Sequence, residues 1–234
     1  MRLIVALALA HLLGSGAAHS GVATFGARAL WLSAAAVLAG LLLAPGLSRA
    51  AEELAETEEP GPPWRGVVVW SALLGAGSGA WVVGDAWVGG TLPSSVAGPV
   101  LGLALGVALT LFALGGMNAG LARLSGDPFR ARVWVLSLLG LSASGPLWLG
   151  PLAERLGTWP GVATAIVAMS PISYLAVLAD TDYLRGEWFY AHSALGSLRF
   201  DYPGALTASA VYLLLGLLSL FGSQALQRKG RSNR

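Results

Sequence analysis

The stretch that decides the fold is "AMSPISYLAVLADTDYLRGEWFYAHSALGSLRFDYPG", residues 168–204. It joins two strongly apolar runs through a patch that is polar, aromatic and charged with both signs. The run before the patch, residues 160–179, is long enough to cross a bilayer but has Pro171 near its centre. Whether this run crosses determines the number of spans and the side on which the patch lies.

Composition places the chain in a membrane. Hydrophobic residues make up 55% of the 234 residues and charged residues only 11%, with a mean hydropathy of +0.68. Soluble domains average about 25% charged residues. The chain therefore reads as one integral membrane domain, and its lack of cysteine excludes disulfides, thiolate metal sites and cysteine nucleophiles.

Seven apolar segments approach the length of about 20 residues that a spanning helix needs. They lack the alternating period of a barrel strand, so the fold is predicted to be all-α. The segments are residues 3–23, 28–47, 66–88, 95–121, 133–152, 160–179 and 204–226.

The basic residues set the topology, because short cytoplasmic loops are enriched in Arg and Lys. Arg2 places the N-terminus in the cytoplasm, and the tail "QRKGRSNR" places the C-terminus there. The loop "ARLSGDPFRAR" also belongs inside, after four crossings. Only two crossings then remain for three apolar runs. No nucleic-acid partner is expected, because the basic residues lie at the ends of the apolar segments, where they determine the orientation of the spans.

The run that does not cross is predicted to be residues 160–180. Pro171 removes a helix hydrogen bond and clashes with the preceding turn, so "SPIS" is a natural break. We therefore predict six spans plus a re-entrant hairpin on the outer side. The alternative is seven spans, with a proline-kinked helix here. In the six-span topology, residues 180–203 form an outer cap, whose Tyr183, Trp188, Phe189 and Tyr190 suit the aromatic belt at headgroup level. The candidate residues of the cap are Asp180, Asp182, Trp188 and His192.

The N-terminus permits two interpretations. A basic start, an apolar core and the small residues Gly16 and Ala18 resemble a signal peptide. The following "GVATFGA" extends the apolar run to spanning length, which favours a retained first helix. A localisation in the bacterial inner membrane, with several passes, fits either reading.

Glycines at four-residue spacing predict close helix contacts. Gly98, Gly102 and Gly106 recur in this way in the fourth segment, and pairs occur in "GAGSG" and "GMNAG". Small residues on one helix face let backbones approach in lipid, where no hydrophobic force drives helices together. We expect the triple to mark a packing face, while chance would produce several of the pairs among 32 glycines.

The cytoplasmic loop "SRAAEELAETEEPGPPWR" is strongly acidic. Its glutamates recur at helical steps, so residues 48–59 are predicted to form a short helix with Ser48 as N-cap. A helix face made of glutamates is usually exposed to solvent without further function, but it also suits docking to a soluble partner. Glu52, Glu53 and Glu56 are the candidate docking residues.

Catalytic chemistry finds no support in the sequence. The chain has three histidines and no HExxH spacing or Walker-type glycine loop, so no catalytic, metal or cofactor site is predicted. Ionisable groups at membrane depth are few: His11, and Asp85 near the outer end of the third segment. A core this poor in charge argues against an ion-coupled transporter.

In its topology the chain resembles the permease subunits of type-2 ABC exporters. The likeness rests on two inward termini, six crossings, a helical cytoplasmic loop between the second and third, and "SPISYL" before the last crossing. The resemblance implies that residues 48–59 are a coupling helix that docks on a separate cytoplasmic ATPase. It also implies that residues 160–180 are the outer re-entrant element, and that the subunit works as a homodimer or heterodimer.

Two functions therefore stand on the sequence. The first is an ATP-driven permease for a lipidic or amphiphilic cargo, in contact with membrane lipid. The second is a noncatalytic membrane scaffold or assembly factor whose outer aromatic cap binds a partner.

Overall fold

A computed structural model describes residues 25–54, 64–88, 97–155, 161–185, 189, 192–193 and 198–232. Within these ranges the chain is all-α, as predicted, with no strand. Its helices are α1 (Phe25–Leu54), α2 (Trp64–Val88), α3 (Ala97–Ser125), α4 (Pro128–Trp148), α5 (Gly150–Arg155), α6 (Gly161–Met169), α7 (Pro171–Leu178) and α8 (Ala205–Ser232).

Four of these helices are long and apolar enough to cross a bilayer. They contain the stretches Phe25–Leu43, Arg65–Trp87, Ala97–Ser125 and Ala205–Gly222. Helix α4 is not among them, and the predicted first span, residues 3–23, lies outside the described residues. The chain is thus a helical protein suited to a multi-pass membrane topology, and the count of six crossings stays a prediction.

Helix α3 lies at the centre of the bundle. It packs against α1, α2, α4, α7 and α8, and its Leu103, Val107 and Leu111 are completely buried. The outward residues of α8, in contrast, include large exposed side chains such as Leu206 and Leu218. Apolar side chains at the bundle surface are expected where lipid is the solvent.

Glycines allow the closest helix contacts. A Cβ on Gly75 of α2 would lie 2.6 Å from the carbonyl oxygen of Ala104 in α3. One on Gly116 of α3 would lie 2.9 Å from the carbonyl oxygen of Gly216 in α8. Backbone meets backbone at both places, as expected for helices that associate in lipid through small residues.

The polar contacts mark two ends of the bundle. At one end Arg28, near the start of α1, lies 3.9 Å from Asp85, near the end of α2. At the other end, Arg123 of α3 donates to the carbonyl of Leu220 in α8 at 3.4 Å. Asp127 in the turn beside Arg123 caps α4, accepting from the backbone N–H groups of Phe129 and Arg130. We call these the Asp85 end and the Arg123 end.

The acidic loop does not begin a separate helix. Helix α1 runs without interruption from Phe25 to Leu54, so Ser48 lies within a helix and the prediction that it is an N-cap is wrong. Glu52 and Glu53 lie in the last turn of α1, while Glu56 lies outside the described residues. Helix α1 continues through Pro45 and Gly46, although this pair of residues usually ends or kinks a helix.

Candidate functional site: a bent helix pair and the cavity beside it

The bent pair consists of α6 and α7, which meet at 86°. Ser170 between them has an extended backbone (φ −83°, ψ 122°), and Pro171 is the first residue of α7. A residue before proline is disfavoured in the helical region, and proline is well suited to the first helical position. The sequence "SPIS" therefore ends one helix and starts the next, at the place where the break was predicted.

Both arms of the pair have their free ends at the Asp85 end of the bundle. In the first turn of α6, Thr164 Oγ1 accepts a hydrogen bond from the backbone N–H of Asp201, just before α8, at 3.2 Å. After α7, Ala179 and Thr181 lie against the start of α1, where a Cβ on Gly26 would be 2.8 Å from the Ala179 carbonyl oxygen. The first turn of α6 and the end of α7 therefore both contact residues near the Asp85 end.

Helix α7 is buried among α1, α3, α4 and α8. Tyr174 is only 1% exposed; its hydroxyl shares a 2.8 Å hydrogen bond with Ser209 of α8, and its ring stacks on Tyr212 with centroids 4.8 Å apart. The Ser173 hydroxyl shares a 3.0 Å bond with that of Tyr183. Buried hydroxyls need such partners, so these bonds fix the position of the arm.

Asp180 ends α7 in the left-handed conformation, with φ 51°. The backbone N–H of Thr181 donates to the Ala176 carbonyl at 2.9 Å, and that of Asp180 donates to the Val177 carbonyl at 3.3 Å. This is a Schellman motif, in which aspartate occupies the position usually taken by glycine. Asp180 of the predicted outer cap therefore has a structural role as a helix terminator.

Asp182 organises the cap that follows. It accepts hydrogen bonds from the Tyr202 hydroxyl at 2.7 Å and from the Arg185 backbone N–H at 3.2 Å. The Arg185 side chain pairs with it at 3.3 Å and also lies over the Phe200 ring. Burial raises the pKa of Tyr202 well above its usual range, and the bond to Asp182 raises it further. Burial likewise raises the pKa of Tyr183, so both phenols stay protonated.

The cap has its own apolar core. Phe189 is 4% exposed and meets the Tyr183 ring edge to face, with centroids 6.0 Å apart. The interfacial-belt prediction is therefore wrong for Phe189, because the cap folds over this ring. The cluster joins the cap to α5 and α6; its buried members are Ala153, Ala163, Ile166, Val167, Leu184, Phe189 and Phe200.

A cavity of about 430 Å³ opens between α1, α4 and α7. Pro171, Ile172 and Leu175 of the buried arm form one wall. Every lining residue is apolar, which suits a hydrocarbon ligand and no charged one, and the volume is in the usual range for ligand pockets. The two other walls are Trp31, Ala34, Ala35, Val37 and Leu38 of α1, and Leu136, Leu139, Gly140 and Ala143 of α4.

The glycine triple lies along the other side of α7. A Cβ on Gly106 would collide with Leu178 and lie 3.3 Å from Leu175, whereas one on Gly102 would be 3.8 Å from Leu178. Nothing lies within 4 Å of such an atom on Gly98. Gly102 and Gly106 therefore face the buried arm, and Gly98 does not take part.

The remaining predicted residues do not assemble into a site. His192 is exposed, and Trp188 lies outside the described residues. Within the described part of the chain, no three metal-ligating side chains come together. Asp85, near the end of α2, pairs with Arg28.

Sequence reasoning missed the cavity and the hydroxyl contacts of the buried arm. Tyr174 lies 35 residues before Ser209 in the sequence, so no local motif links it to Ser209 and Tyr212 of α8. Their only sequence signal is that hydroxyl groups interrupt otherwise apolar segments, which indicates internal hydrogen bonds at membrane depth.

Comparison of the chain with protein-family models, curated proteins and solved structures found no match. Fold and site together define a helical protein suited to a multi-pass membrane topology, in which one arm of a bent helix pair is buried against the central helix α3. Its function has to be inferred from that geometry.

Proposed function

We propose that the chain is the permease subunit of an ATP-driven exporter, moving a lipidic or amphiphilic cargo with a separate cytoplasmic ATPase. The observation that carries the proposal is the cavity against the bent pair. It is apolar throughout, and its inner wall is α7, a short helix that is packed among its neighbours and positioned by two hydroxyl contacts. A cargo pathway needs such a surface for hydrocarbon next to an element with two possible positions.

In this proposal, α6 and α7 are a re-entrant hairpin entered from the outer side. The contacts of Thr164 with Asp201, and of Gly26 with Ala179, support that topology because they hold both free ends at the Asp85 end. Irregular backbone at Ser170 is tolerated at membrane depth because protein surrounds it. The Arg123 end, with three arginines in residues 123–132, then faces the cytoplasm.

The energy for transport comes from a partner, since the sequence has no phosphate-binding glycine loop. The glutamates at the end of α1 are the proposed contact with that ATPase. They extend the long first described helix beyond its apolar part, so a push on them is transmitted to the wall of the cavity formed by the same helix.

The scaffold function is favoured by a different observation. The described residues of the cap share a buried apolar cluster with α5 and α6 and hold the Asp182 network at the Asp85 end. A partner bound there needs neither the cavity nor the glutamates.

Affinity purification from membranes of the native host separates the two functions. We expect an ATPase to co-purify with the wild-type chain, and the triple variant Glu52→Lys, Glu53→Lys, Glu56→Lys to lose it while inserting normally. Association should also weaken with salt, because exposed charges more than about 8 Å apart are screened at physiological ionic strength. Glu154→Lys, a charge reversal in α5 near the cap, is the matched control.

Wild-type and triple-variant chains that purify with the same partners, and with no ATPase, would contradict the permease function. Loss of partners only on changing the cap, for example through Asp182→Asn, would favour the scaffold.

A further inference from the structure

We propose that the cavity and Arg132 together bind one phospholipid, its acyl chain in the cavity and its phosphate on the guanidinium, from the leaflet at the Arg123 end. This site is a cargo site only if the chain is the proposed permease, so its role in transport rests on the proposed function. The lipid is a component of the bilayer around the protein, and no soluble ligand is needed.

Arg132 is a cation without a protein partner among the described residues. Its Nε atom is buried and makes no hydrogen bond there. The two neighbouring arginines behave differently, since Arg123 donates to the Leu220 carbonyl and Arg130 pairs with Asp127 at 3.2 Å. A buried guanidinium nitrogen left without an acceptor is costly, so a phosphate oxygen, its preferred bidentate acceptor, would satisfy it.

Arg132 and the cavity lie on one stripe of α4. Leu136, Leu139, Gly140 and Ala143 follow it at steps of four, seven, eight and eleven residues, all of which return to the same helix face. Side chains on a helix lean towards its N-terminus, so the arginine extends away from the cavity, towards the headgroup level. Its position thus matches the polar head of a lipid whose chain runs along the stripe.

The length of the cavity also suits an acyl chain. On α1 and on α4 the lining residues span seven positions, from Trp31 to Leu38 and from Leu136 to Ala143, or about 10 Å of helix. A chain entering from the Arg132 side would lie parallel to both helices and against Pro171, Ile172 and Leu175. A methylene group that moves from the bulk lipid into the cavity is stabilised mainly by closer van der Waals contacts with the cavity wall.

The test uses the full chain in nanodiscs that contain phosphatidylglycerol with a diazirine in one acyl chain. After photolysis, the labelled peptides are mapped by mass spectrometry. We expect label in residues 31–38, 136–143 and 171–175. Gly140→Leu should lower that label about fivefold, because the leucine would replace roughly five to ten carbon–carbon contacts of the acyl chain with the cavity wall. Arg132→Gln should lower it by a similar factor by removing a charged hydrogen bond.

Matched controls exist on the same chain. Gly84 of α2 resembles Gly140 in that nothing lies within 4 Å of an added Cβ, and it is outside the cavity, so Gly84→Leu should leave the label unchanged. Arg130→Gln removes the exposed, paired arginine of the same turn and should also have no effect. If Gly140→Leu does not fold, Ala143→Leu fills the same wall.

Three outcomes would overturn the inference. Label insensitive to both Gly140→Leu and Arg132→Gln would indicate ordinary annular lipid. Full competition by soluble glycerol phosphate would indicate a phosphate site without the acyl chain. A disulfide formed in high yield between cysteines introduced at Gly140 and in residues 3–23 would place a protein segment in the cavity. A labelled cavity without any co-purifying ATPase would leave the lipid site standing and remove the transport function.

Discussion

At Gly106 the central helix and the buried arm approach most closely, so this residue tests how tightly the arm is held. A side chain there would displace Leu178 and press on Leu175. We expect Gly106→Leu to destabilise the protein by about 1–3 kcal/mol through overpacking. Gly98→Leu, at two four-residue steps before Gly106 on α3, should be neutral because nothing lies within 4 Å of a Cβ added there. Thermal unfolding of both variants in detergent measures the difference, and equal melting temperatures would show that α3 and α7 separate readily.

The glycines show how much residue spacing alone predicts about helix packing. A four-residue glycine repeat indicates one face of a helix but not its partner; in the structure Gly102 and Gly106 face α7, whereas nothing lies within 4 Å of a Cβ on Gly98. The backbone contact between Gly116 and Gly216 joins helices a hundred residues apart in sequence. Nothing near Gly216 signals it, because a single glycine in an apolar run has no period.

Among the elements, α7 depends on a hydroxyl contact that a conservative change removes. Tyr174→Phe keeps the ring stacked on Tyr212 and deletes the bond to Ser209. We expect a loss of about 1 kcal/mol, the typical size of a hydrogen bond between helices in a membrane. Tyr212→Phe is the control, because within the described part of the chain no hydrogen bond to the Tyr212 hydroxyl is present. Unfolding in urea or by heat compares the two, and a larger effect at Tyr212 would contradict this account of the arm.

The cap should open in alkali before the bundle does. Tyr202 and Tyr183 have pKa values raised above 10 in the folded cap, mainly by burial. When the cap opens, the phenols return to their ordinary pKa, so the folded cap binds more protons than the open one above about pH 10. Its stability is complete below that pH and falls as the pH rises further. Limited proteolysis of residues 180–203 between pH 8 and 11 follows the opening.

Tyr202→Phe provides the control for this pH dependence. The variant lacks one of the two phenols and the bond to Asp182, so its cap should be weaker at pH 8 by about 1 kcal/mol, yet lose less on going to pH 11. A wild-type cap whose proteolysis rate does not change with pH would show that the phenols are already exposed.

The sequence predicted the end of a helix correctly at Pro171 but not the start of one at Ser48. Pro171 ended a helix because proline acts on its own neighbours. Ser48 did not start one: α1 runs through it despite Pro45 and Gly46, and the local sequence does not explain this continuation. The folded cap was predicted as an interfacial loop, since composition does not reveal that Phe189 and Phe200 have a common core.

For the whole molecule, the decisive question is the side on which each arm of the bent pair emerges. The native chain has no cysteine, so single cysteines report it directly. Gly161→Cys labels the start of α6, where nothing lies within 4 Å of an added Cβ, and Arg185→Cys labels the chain after α7. Phe129→Cys, 71% exposed at the Arg123 end, is the reference for the opposite side.

We expect a membrane-impermeant maleimide to label Gly161→Cys and Arg185→Cys from outside the cell, and Phe129→Cys only in inverted vesicles. The reason is mechanical: the bond from Asp201 to Thr164 holds α6 at the Asp85 end, and the contact of Ala179 with Gly26 holds the end of α7 there too. Labelling of the first two positions from opposite sides would make the pair a kinked seventh span. The cavity would then lie beside a continuous crossing, and α7 would lose the freedom to move on which the proposed export depends.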